Sequence, residues 1–152
     1  NYLERADSTA RLLDVKYFVL LPQVDFVGSG LDNYQWRTIL RALSAHRAFS
    51  WAYGGEVTAA KIADFLILNR KAPRSLITCA EETCWHLDRL ARAYGNTTTA
   101  QTQARLLVAN LSEISVEDIF EEGLHEFLTR SINEISDLSA TIGDVYLSGE
   151  GR

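Results

Sequence analysis

Glu4 and Arg5, an acid and a base side by side near the amino end, are the residues of this chain best suited to chemistry. Neighbours on a helix diverge by about 100°, so the two charges do not simply pair with each other. Each needs its own partner: another helix, water or a ligand. Two uses are open. A partly buried ion pair made by either charge would fix the register of the helix. Alternatively, the pair lines a cleft in which the fork of guanidinium donors holds a carboxylate or phosphate. Asp7, Arg11 and Asp14 share one strip of the same helix, where opposite charges meet four and three residues apart. Arg74, just past Pro73 in the first turn of a later helix, is a further candidate for an anion site or a solvated side chain.

Other constellations fall short of a reaction. Glu122-Gly123-Leu124-His125 has the Glu-x-x-His spacing of a di-iron bundle, which requires two such pairs and two further glutamates; only one pair occurs. His125-Glu126 opens like a zinc-protease helix, but Thr129 stands where the second histidine must be. Glu82 and His86, four apart, could serve a general base, but helical pairs of this spacing are usually surface support; Cys79 lies seven before His86. His46 has no evident partner. Ser8-Thr9 and Thr97-Thr98-Thr99 offer hydroxyls without a His–Asp set, and Gly28-x-Gly30 is no phosphate loop. No residue is assigned a catalytic step, and neither metal nor cofactor is expected.

Composition narrows the class. A chain of 152 residues suffices for one domain with a core. Net charge is −5 and the arginines are scattered, so nucleic acid, which demands a basic patch, is excluded as an expected partner. No apolar run reaches the roughly 18 residues of a membrane helix; Val15 to Leu21 is interrupted by Lys16 and stopped by Pro22. Cys79 and Cys84, five apart on one helix, point about 140° from each other. They neither bridge nor share a metal, and read as thiols of a reducing, cytoplasmic compartment.

These residues need helices to position them, and the pattern supplies helices only. Leu3, Ala6, Ala10, Leu13, Tyr17 and Leu20 mark the first, which ends near Leu21-Pro22. After a loop from Gln23 to Leu31, Asp32 with Gln35 suits the cap of a second helix through Trp36, Ile39, Leu40, Leu43, Ala45 and Phe49 to Tyr53, stopped by Gly54-Gly55. Thr58 caps a short third helix with Ile62, Phe65, Leu66 and Leu68. A fourth, with Pro73 in its first turn, buries Leu76, Ala80, Leu87, Leu90 and Tyr94 and closes at Gly95. The fifth spans Ala100 to Ile114, the sixth is capped by Ser115 with Asp118, and Gly123 separates it from the last. That one carries a seam of Leu124, Leu128, Ser131, Ile135, Leu138, Ile142 and Val145. The expectation is an all-α antiparallel bundle of five to seven helices over residues 1–147, with a frayed tail at 148–152.

The text from Tyr2-Leu3-Glu4-Arg5-Ala6-Asp7-Ser8-Thr9 through Asp14-Val15-Lys16-Tyr17 and Leu20-Leu21-Pro22 resembles the alpha-E family, bacterial helical domains named for a Glu-Arg pair. The likeness continues through Asp32-Asn33-Tyr34-Gln35-Trp36, Phe65-Leu66-Ile67-Leu68-Asn69, Pro73-Arg74-Ser75-Leu76 and Gly123-Leu124-His125-Glu126-Phe127-Leu128. In that family the Glu-Arg unit typically occurs twice, in two related halves of a longer chain. The resemblance here is to the second half, which implies a C-terminal portion whose apolar surface is hidden by homo-oligomerisation or helix swapping. It further implies an accessory component of a predicted peptide synthesis or modification system. The implied partners are ATP-grasp-type carboxylate–amine ligases and transglutaminase-like proteins. The expectation is a non-catalytic module that docks the ligase or presents its peptide. The alternative is an enzyme that processes an amide or acyl group with Glu4 and Arg5 in its pocket.

Overall fold

In a computed structural model the chain is described over residues 2–15, 30–54 and 58–147, with the side chains at 31–35 and 147 left aside. The described residues form eight α-helices and no strand: α1 (Tyr2–Val15), α2 (Gly30–Ala42), α3 (His46–Tyr53), α4 (Ala59–Ala63), α5 (Leu76–Tyr94), α6 (Thr99–Glu113), α7 (Val116–Glu122) and α8 (Leu124–Ile142). Wide π turns extend α4 over Asp64–Leu68 and α8 over Gly143–Leu147.

The long helices α1, α5, α6 and α8 close into a four-membered ring, α1 against α5 and α8, α6 against the same two. Side-chain contacts give the directions. Tyr2 meets His86 late in α5, while Thr9 meets Arg74 just before it. Asp14 reaches His125 at the start of α8, and Thr98 before α6 reaches Tyr146 beyond its end. Every neighbouring pair is thus antiparallel. The stripe Leu3, Ala6, Ala10 and Leu13 is buried against this ring, its three- and four-residue steps placing it on one face of α1. Leu76, Ala80, Leu107, Leu111, Ser131 and Ile135 join it around a central void of only about 10 Å³, so the core is filled.

The caps expected from sequence hold α4, α5 and α7. Thr58 accepts from the Lys61 amide at 3.2 Å, and Ser115 with Asp118 forms a reciprocal capping box. Gly95 ends α5 at φ 77°, a left-handed position that glycine fills without a Cβ penalty.

Four expectations need correction. The helix drawn from Asp32 to Tyr53 begins at Gly30 and is two helices, α2 and α3. They part at Ser44, whose φ is 55°. The Ala45 amide donates to the Leu40 carbonyl at 2.7 Å and the Ser44 amide to that of Arg41 at 3.0 Å, the paired bonds of a Schellman stop. No glycine marks it, so the sequence carried no warning. Pro73 and Arg74 precede α5 rather than opening it. Ser75 is its cap, accepting from the Thr78 amide at 3.2 Å and donating to the Asn69 carbonyl at 2.7 Å. Tyr94, expected inside, is 49 % exposed at the end of α5; its ring lies beside Tyr146. The seam of α8 includes buried Phe127, while Ile142, at the last residue of α8, and Val145, in the π turn where the register changes, are only half-buried. The expected stop at Leu21-Pro22, the loop from Gln23 through residue 29, the Asp32–Gln35 cap and the tail at 148–152 lie outside what is described.

The π turn after α4 is anchored through Tyr53 of α3. Its hydroxyl donates to the Asp64 carboxylate and accepts from Asn69 Nδ2 at 3.1 Å. Burial, then the bond to Asp64, pushes the phenol up to about 12.

Candidate functional site around Glu4 and Arg5

The two charges leave α1 on different sides, as their adjacency requires. Glu4 is exposed and opens on a groove of about 680 Å³ between α1 and α8, lined also by Asp7, Ser8, Arg11, Ser136 and Ser139. There the Arg11 Nε donates to Asp7 at 2.8 Å. Arg11 does not reach Asp14 as well, because Asp14 turns to α8 and sits 2.6 Å from His125 Nδ1. The expected strip of three charges is therefore one exposed pair on α1 and one contact between helices.

Arg5 faces α5. Its guanidinium carbon lies 5.4 Å from the centroid of the Tyr2 ring, within cation–π range. Tyr2 stacks on His86 at 5.5 Å between centroids, and His86 meets Trp85 edge-on. The backbone of this segment is fixed by Thr9, fully buried, whose hydroxyl lies 3.0 Å from the Arg5 carbonyl and 2.9 Å from the Arg74 carbonyl. Arg74 is thus brought beside α1 although the chain between them is long. Below them Cys79 is buried, its Sγ 3.8 Å from the Pro73 carbonyl. Burial pushes this thiol up to about 11; Arg5 and Arg74 pull against that shift and Glu82 adds to it.

The remaining candidates stay apart. Among the described residues Glu82 and His86 make no hydrogen bond to each other. Glu122 pairs with Arg130 at 2.7 Å while His125 is taken by Asp14, so the Glu-x-x-His spacing does not converge. No group of three His, Cys, Asp or Glu side chains among the described residues is placed to hold a metal ion. Cys79 and Cys84 are both free thiols. No described helix is long and apolar enough to cross a membrane.

Sequence reasoning missed Tyr2 and Thr9 as site residues. A signal existed: Tyr2, Arg5 and Thr9 recur three and four residues apart and so share a stripe. It was hidden because such steps were read for apolar residues and for opposite charges, and this stripe mixes a phenol, a guanidinium and a hydroxyl.

The Alpha-E family model, described as a predicted alpha-helical domain with a conserved ER motif, matches residues 1–147. Glu4-Arg5 is the single place in this sequence where arginine follows glutamate. Searches of curated proteins and of solved structures find no match.

Proposed function

Because the chain belongs to the Alpha-E family, we propose that it is a non-catalytic helical accessory module of a peptide synthesis or modification system. It docks an ATP-grasp-type carboxylate–amine ligase, or a transglutaminase-like protein, or presents the peptide substrate. The observation that carries this reading is the divergence of Glu4 and Arg5: one charge opens on the groove toward α8, the other on the face toward α5. Two surfaces suit a part held between partners. The same divergence counts against an enzyme that uses both charges in one pocket. A cytoplasmic home accords with two free thiols and with an ATP-using partner.

The test is co-purification of the tagged protein with a candidate ATP-grasp-type ligase. Retention of the ligase by the unaltered protein, and its loss on Arg5→Ala with helical circular dichroism intact, is expected. Turnover of an amide or acyl substrate by the protein alone would overturn the reading, as would equal retention by Arg5→Ala and Glu4→Ala variants.

A further inference from the structure

Among the described arginines only Arg5 and Arg74 are not exposed. Arg11, Arg70, Arg105 and Arg130, all more exposed, each pair with an acid at 2.7–3.2 Å, whereas neither half-buried guanidinium has an ion pair among the described residues. Taking a charge partly out of water costs free energy, which a paired anion normally offsets. Arg37, Arg41, Arg47, Arg89 and Arg92 also have no ion pair among the described residues, but they are exposed and water solvates them; Arg5 and Arg74 are half-buried as well as unmatched there. Thr9 holds the two backbones together from below.

We propose that Arg5 and Arg74 together grip a carboxylate of a peptide whose neighbouring apolar side chain enters the adjoining cavity. That cavity, about 330 Å³, is lined by Tyr2, Leu3, Thr83, His86, Leu87 and Leu90, and shares the Tyr2 ring with Arg5. Charge selects the ligand. Glu82 stands three residues after Cys79 and so on the same face of α5, where it offsets one of the two positive charges. A single carboxylate balances the other; a phosphate dianion leaves the site negative. Guanidinium pairs suit the planar carboxylate by geometry as well. The inference rests on the accessory-module reading and deepens it, since a module that presents a peptide must hold it.

The experiment is an amide-resolved NMR titration of the protein with N-acetyl-alanyl-leucine, with its C-terminal amide, and with inorganic phosphate. The free acid is expected to shift Tyr2, Arg5, Cys79 and His86 saturably. Amidation, and separately Arg74→Gln, weaken binding roughly tenfold, the usual worth of a charge-assisted contact. Glu82→Gln tightens it severalfold. Arg74 lies outside the helices, so this variant keeps the fold even where Arg5→Ala does not. Equal binding of acid and amide overturns the proposal, as do shifts confined to other residues or the absence of any saturable shift. Tighter binding of phosphate overturns the carboxylate assignment. Failure here with Arg5-dependent ligase capture intact sinks the peptide grip and leaves docking standing; a peptide grip without ligase capture does the reverse.

Discussion

Asp14 Oδ1 and His125 Nδ1 lie 2.6 Å apart across 111 residues of chain. The contact joins the end of α1 to the start of α8, both groups about a quarter to a third exposed. It therefore locks the two antiparallel helices at the end opposite Tyr2.

Replacing His125 by alanine removes that lock. The expected cost is about 1 kcal/mol, as for a partly exposed polar pair, read from urea unfolding. A double-mutant cycle with Asp14→Ala should return most of it as coupling. Additive single effects would show that the pair contributes nothing.

The two thiols should separate kinetically. Cys79 is fully buried and held up to about 11 by that burial, so at pH 8 it is neither accessible nor ionised. Cys84, on the half-buried side of α5, is also raised, chiefly by desolvation and then by Asp88, but solvent reaches it. A disulfide reagent added to the native protein is expected to consume Cys84 first and Cys79 only on unfolding. Mass mapping of the labelled thiol checks the order.

Acid should loosen the α5–α6 hairpin. The Gln101 amide, then Arg105 at 3.1 Å, hold Asp88 below its ordinary value of 3.8. A depressed carboxylate contributes stability that is present above the unfolded value and is lost as pH falls through the folded one. The wild-type protein is thus expected to lose stability relative to Asp88→Asn below about pH 4, and not above pH 6. Parallel pH profiles for the two proteins would reject the assignment.

Ser44→Gly should stabilise the protein. Serine at φ 55° carries a steric penalty that glycine escapes, set against the glycine's greater freedom when unfolded. The expected net gain is about 0.5 kcal/mol, visible as a small rise in the thermal midpoint. A fall would mean that the serine side chain holds the stop by itself.

The helices and their core were legible because Leu3, Ala6, Ala10 and Leu13, or Leu124, Leu128, Ser131 and Ile135, repeat the spacing of one helix face. The break at Ser44 was not, since its Schellman bonds use main-chain atoms at a residue with no special side chain. The Glu4–Arg5 divergence followed from helix geometry alone. The company each charge keeps did not: Arg74 and His86 meet α1 through tertiary packing, and no local spacing encodes a contact between Thr9 and a carbonyl 65 residues away. Asp14 misled for the same reason, a near neighbour in Arg11 losing to a distant histidine.

The hydroxyl of Thr9 touches Arg5 only through its peptide oxygen. Any residue in that place would present the same oxygen, so this one tie between α1 and the segment before α5 is indifferent to what side chain hangs there. What the arginine side chain adds lies elsewhere, in a positive charge laid over the Tyr2 ring that bridges α1 to His86.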